Sequence, residues 1–104
     1  MTAPLRGQVY RVELGDGPKP WLVVSNNARN RNLDSVLAAR ITTGKHAVVP
    51  TVVALTSADP LVGYVLCDDL VQLYRDEFVK RVGAVSPSTV RAVADGLRIA
   101  LGLS

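Results

Sequence analysis

From residue 8 to residue 14 the chain alternates Val9, Arg11 and Glu13 against Tyr10, Val12 and Leu14, which predicts a half-buried strand. Gly15-Asp16-Gly17-Pro18 breaks the pattern as a turn, because glycine accepts positive φ and proline fixes it. The run 20–25 is continuously apolar until Ser25 and reads as a buried strand opened by a proline. Residues 26–32 are polar, a connection with room for one helical turn. Short strands are expected at 36–42, 51–55, 63–67, 70–73 and 79–85, with a helical turn over 74–78. The end of the chain is helical: Ser86 is a good N-cap, Pro87 suits the first helical position, and Gly102 stops the helix. Between them Val90, Val93, Ala94, Leu97 and Leu101 recur at helical spacing. Many short strands with Gly/Pro turns and one terminal helix predict a mainly β fold with some α, a small, strongly bent barrel.

At 104 residues there is room for one core, so residues 1–104 are expected to form one domain. Hydrophobic content of 48% with 20% charge describes a globular chain. No apolar run reaches the roughly 20 residues of a membrane span. Met1 to Arg6 lacks the basic-then-apolar layout of a signal peptide, and a cytoplasmic location is expected. Cys67, the single cysteine, reads as a small hydrophobe in a strand. The net charge is +3, and its distribution is uneven. Lys19, Arg29, Arg31, Arg40, Lys45 and His46 fall in the first half, whereas Asp59, Asp68, Asp69, Asp76 and Glu77 fall in the second. A basic rim of this kind suits a polyanion such as RNA.

One His, one Cys and no Cys-x-x-Cys motif leave no ligand set for zinc, and no metal or cofactor is expected. Asp68-Asp69 invites a magnesium reading, but adjacent strand residues point to opposite faces and grip one ion only across a bulge. Gly15-Asp16-Gly17 opens no helix and is not a phosphate loop.

Four segments read in order carry more information: Arg6-Gly7-Gln8-Val9-Tyr10, then Lys19-Pro20-Trp21-Leu22-Val23-Val24-Ser25-Asn26-Asn27, then Asn30-Arg31, then Ala39-Arg40-Ile41-Thr42. This order resembles the MazF/PemK-type toxin endoribonucleases of type II toxin–antitoxin pairs. Their pattern is Arg-Gly-x-Val/Ile-aromatic, Arg-Pro-apolar-x-Val-Val/Ile-Ser/Gln-Asn-Asp, Asn-Arg, and a Thr closing the third strand. The match runs through most of the chain. It implies an SH3-like barrel of the PemK/CcdB type with a C-terminal helix, a homodimer with single-stranded RNA (mRNA, tRNA or rRNA) in a basic interface groove, and inhibition by a cognate antitoxin with an acidic tail.

The chemistry implied is sequence-specific and metal-independent: a ribose 2′-OH attacks the neighbouring phosphorus, giving a 2′,3′-cyclic phosphate and a 5′-OH. In the family the central pair is the Arg of Arg-Pro and the strand-closing Thr. Thr42 matches directly, and Lys19 stands at the Arg position. Lysine keeps the charge, loses the planar fork, and can hand over a proton. The expected roles are Lys19 at the scissile phosphate, aiding proton transfer, and Thr42 donating to a non-bridging oxygen. Arg29, Arg31, Arg40, Asn26, Asn30, Lys45 and His46 form the expected RNA-binding set, with Arg31 open to a structural role and His46 to loop decoration. Asn27 occupies a position where the family often carries Asp, and Trp21 reads as core, with base stacking the alternative. The loop before Lys19 is shorter than in typical members, so no cleavage motif is carried over. Two alternatives stay open: a CcdB-like toxin that binds DNA gyrase, and a member that binds RNA without cutting it. The ending Leu101-Gly102-Leu103-Ser104 lacks the aromatic that gyrase binding uses in that family.

Overall fold

The computed structural model describes residues 2–44 and 48–104. Among the described residues six strands and two helices follow one another: β1 (Gln8–Glu13), β2 (Pro18–Val23), α1 (Asn27–Asn32), β3 (Ser35–Thr42), β4 (Val52–Ala54), β5 (Tyr64–Tyr74), β6 (Phe78–Ala84) and α2 (Pro87–Leu101), with one 3₁₀ turn at Arg75–Glu77 before β6. All pairings are antiparallel and the strand order is β4-β5-β3-β2-β1-β6. The expected mainly β architecture with a terminal helix is what forms, and β4 and β6 stand as the two edges of the sheet.

The two strands expected at 63–67 and 70–73 are one strand, β5, carrying a bulge. Ala39 faces Leu70 and the next residue, Arg40, faces Leu66, so Cys67, Asp68 and Asp69 have no partner on β3. The polar pair that looked like a strand break is accommodated inside the strand. Asp68 accepts a 2.5 Å hydrogen bond from the Thr51 hydroxyl.

Alternation divides the apolar residues between two cores. Val9, Leu22, Ala39, Ile41, Val65 and Cys67 fill the first, and α2 covers it with Val93, Val90, Leu97 and Ala100. Tyr10, Val12, Trp21, Val23, Val36, Ala38 and Leu73 fill the second, where the rings of Tyr10 and Phe78 lie 4.7 Å apart. Leu101, expected on the buried stripe of α2, is 55% exposed, and Ala100 takes the inner position. Gly96 allows the close approach of α2: a Cβ there would lie 2.8 Å from Cys67 Sγ. Burial, with a smaller contribution from Asp68, pushes the Cys67 thiol up to about 11. It stays protonated and packs as an apolar group.

Asp59 ties α2 to the turn after β4. Its carboxylate accepts from the Ser86 amide (2.7 Å), the Thr89 hydroxyl (2.7 Å) and the Thr56 amide (2.8 Å) and hydroxyl (3.1 Å). Burial acts to raise its pKa, yet these four donors outweigh burial and hold it at about 2, below the ordinary 3.8. A depressed carboxylate stabilises the fold fully above its unfolded pKa and loses that contribution as pH falls through its folded one. Asp59→Asn is therefore expected to lower stability by about 1–3 kcal/mol at neutral pH. In melting curves its gap to the parent should shrink from pH 4 towards pH 2; a gap independent of pH would refute the assignment.

Candidate active site

Two prolines decide where the sheet opens. Alternate residues of a strand direct their N–H groups to opposite neighbours, and proline has none to give. Pro18 and Pro20 share one side of β2. The ladder from β2 to β1 continues as far as Glu13 opposite Pro18, but the ladder from β2 to β3 stops at Trp21 opposite Arg40. Beyond that pair the strands run unpaired, and a groove of about 320 Å³ opens at their ends.

The groove is lined by Arg11, Pro18, Lys19, Pro20, Arg40, Ile41, Thr42, Thr43, Leu61 and Val62. Lys19, Thr42 and Arg40, which the sequence marks as the catalytic pair and a neighbouring cation, thus share one site. By the period of two, Lys19 shares the Trp21 side of β2, and Thr42 the Arg40 side of β3. Arg11 is a third cation of the groove that sequence reasoning missed. The alternation pattern assigned it no role, and its pairing with Pro20 places it at the opening.

None of the lining residues is acidic. Glu13 is close in sequence, yet its carboxylate is committed to the turn, accepting from the amides of Gly15 (2.9 Å) and Gly17 (3.2 Å). Its bonds shape the short loop that delivers Lys19. Arg40 is half-buried, and its Nε has no hydrogen-bond partner among the described residues; the same holds for the buried Trp21 indole N–H across the strand pair. Such donors are costly to bury unpaired; Arg40 borders the groove, whereas Trp21 and a third such donor, Arg75 Nε, lie outside its lining. Thr42 Oγ1 accepts the Gly44 amide at 3.2 Å, which leaves its hydroxyl proton to donate. Its backbone is set by Gly63 at φ 135°, where any Cβ would collide with the Thr42 carbonyl.

The expected RNA-binding residues of the α1 region lie elsewhere. They follow the C-terminal end of β2, and Lys19 lies near its N-terminal end, some four residues or about 13 Å away along the strand. There they are occupied by structure. Asn26 caps α1 by accepting from the amides of Ala28 and Arg29. Asn30 is wholly buried, accepting from the Ser25 hydroxyl (2.6 Å) and donating to the Ser25 carbonyl (3.1 Å). Arg29 donates to the Ser35 carbonyl (2.7 Å) and hydroxyl (3.2 Å). Asn27, at the position of the family Asp, still serves as an acceptor, taking the Arg6 amide at 2.7 Å. Arg31 is exposed on the last turn of α1, outside the groove. Trp21 is 5% exposed and belongs to the core. Lys45 and His46 lie outside the described residues. The described residues contain no group of three or more His, Cys, Asp or Glu side chains arranged to hold a metal ion.

A family model described as PemK-like, MazF-like toxin of type II toxin–antitoxin system matches residues 5–101. Endoribonuclease MazF1 of Mycobacterium bovis is 52% identical over 103 residues, covering 99% of this chain and 97% of that protein. Endoribonuclease MazF4 of Mycobacterium tuberculosis is equally similar, at 52% over the same span. Among solved structures, a mycobacterial endoribonuclease in complex with its cognate antitoxin superposes with a TM-score of 0.94 at 51% identity, covering 98% of both chains. A MazE–MazF structure from Deinococcus radiodurans, at 24% identity and a TM-score of 0.85, shares the fold.

If the Arg40 guanidinium is held ready for an anion at the expense of the free protein, removing its charge should separate binding from stability. Arg40→Met is expected to leave the melting temperature unchanged or raised, while affinity for a single-stranded oligonucleotide falls about tenfold, or 1.4 kcal/mol. A fall in both would show that Arg40 chiefly supports the fold.

Proposed function

This chain belongs to the PemK-like, MazF-like toxin family of type II toxin–antitoxin systems, and on that premise we propose that its groove is where it acts as an endoribonuclease, cleaving single-stranded RNA without a metal ion. The observation that carries this reading is the groove itself: Arg11, Lys19, Arg40 and Thr42 around one opening with no carboxylate among its lining residues.

In the proposed step the ribose 2′-oxygen forms a bond to phosphorus and loses its proton to a base, while the bond from phosphorus to the 5′-oxygen breaks and that oxygen takes up a proton. Lys19 faces the scissile phosphate, offsets its growing charge and aids proton transfer. Thr42 donates its hydroxyl proton to a non-bridging oxygen. Lysine as a point charge binds such an oxygen without the bidentate grip of a guanidinium, and Arg40 contributes that planar donor from the next strand. Deoxyribose offers no nucleophile to this route, so DNA is not cut.

The same reading makes the chain one toxin domain that acts as a homodimer in the cytoplasm. No helix of the described residues is long and apolar enough to cross a membrane. A cognate antitoxin would silence it by laying carboxylates into the uncompensated positive groove, where RNA phosphates otherwise sit.

The test is incubation of the purified protein with a mixed RNA pool in excess EDTA, beside Lys19→Ala and Thr42→Ala. Discrete cuts ending in cyclic phosphate are expected from the parent, reduced at least about 100-fold in each variant. RNA binding without cuts would remove the nuclease reading in favour of a non-cleaving member. Neither binding nor cuts would direct attention to a protein target such as gyrase.

A further inference from the structure

We propose that Arg11 grips a phosphate flanking the scissile one, so that the groove reads at least two consecutive links of the RNA backbone; this rests on the groove being the RNA site. Three observations carry it. The first is charge. A single phosphodiester brings one negative charge, whereas the groove gathers three cations, Arg11, Lys19 and Arg40, with no acid lining it. Charge beyond the first link is matched only by a neighbouring phosphate.

The second is placement. Arg11 and Lys19 stand on adjacent strands, Arg11 opposite Pro20 and Lys19 opposite Val12, so they occupy opposite alternations. They address the opening from two sides and do not converge on one oxygen. The third is cost. Arg11 is half-buried on the opposite face of β1 from the buried Tyr10 and Val12, and its guanidinium has neither an ion pair nor a hydrogen bond among the described residues. A guanidinium held in that setting is a planar pair of donors with nothing to donate to, and the fork matches the two free oxygens of a phosphate.

The experiment measures binding of an oligoribonucleotide whose 2′-hydroxyls are methylated, so that it cannot be cut, across a series of KCl concentrations. Parent, Arg11→Gln and Arg11→Lys are compared. Each phosphate neutralised on a single strand contributes a slope of about 0.7 to the fall of log affinity with log salt. Arg11→Gln is expected to bind about tenfold more weakly and to lose about 0.7 of that slope. Arg11→Lys is expected to keep the slope. An unchanged slope in Arg11→Gln would overturn the contact even if affinity fell, since a merely structural residue alters affinity without altering charge neutralisation. Cleavage of unmodified RNA is measured in parallel. Binding with the expected slopes but no cleavage would refute the nuclease reading and leave the Arg11 contact standing, whereas absence of binding by the parent would refute both.

Discussion

The absence of two backbone donors on β2 governs the rest of the site. Pro18 and Pro20 occupy the side of the strand on which the ladder to β3 would continue, and that ladder ends at Trp21 and Arg40. Were it to run two residues further, Lys19 would lie alongside Thr42 within a closed sheet. With the strands free of each other, both residues border an open groove, and Arg11 reaches it past Pro20. The ladder to β1, unaffected on the other side, keeps β2 rigid to its first residue. The opening is therefore a local defect in an otherwise continuous sheet, held on three flanks by regular structure.

Those flanks explain why the cations can stay uncompensated. Glu13, two residues from Arg11, is committed to two turn amides, and Gly63 lets β5 close against the backbone of Thr42 without a side chain intervening. The electrostatic cost of a positive groove in the free protein is offset elsewhere, by two apolar cores and by polar anchors such as Asp59 at the start of α2. The candidate groove and these stabilising anchors thus occupy different parts of the molecule.

Much of this was legible in the sequence. The strand alternation, the Ser86-Pro87 helix start and the Gly102 stop all depend on local chemistry, and they formed within a few residues of where they were expected. Lys19 and Thr42 were singled out by the resemblance to the family pattern, and both line the groove. What sequence did not disclose depends on pairing. Arg11 drew no functional reading from the strand alternation, and its role at the opening emerges from its register partner, Pro20. Asp68-Asp69 looked like a break between strands, although a bulge holds three residues of one strand there without partners on β3. The residues of α1 looked like part of the same basic rim as Lys19, because proximity in sequence hides the length of the strand between them.

The two ends of β2 show a more general distinction between structural and functional polarity. At the C-terminal end, Ser25, Asn26, Asn30 and Arg29 bond to one another and to the surrounding backbone, and Arg75 donates through Nη2 to the carbonyls of Asn30 and Leu33, although its Nε is a buried donor without an acceptor among the described residues. At the N-terminal end, Arg40 and the Trp21 indole hold buried donors without acceptors among the described residues, and the Arg11 guanidinium has no hydrogen bond among them. Arginines stand at both ends, so residue type alone does not separate them. What separates them is whether the fold itself supplies the acceptor. Where it does, as for Arg75 Nη2, the residue maintains a loop; the Arg11 guanidinium, which has no such partner and borders the opening, is left with its donors for acceptors of the kind a phosphate backbone carries.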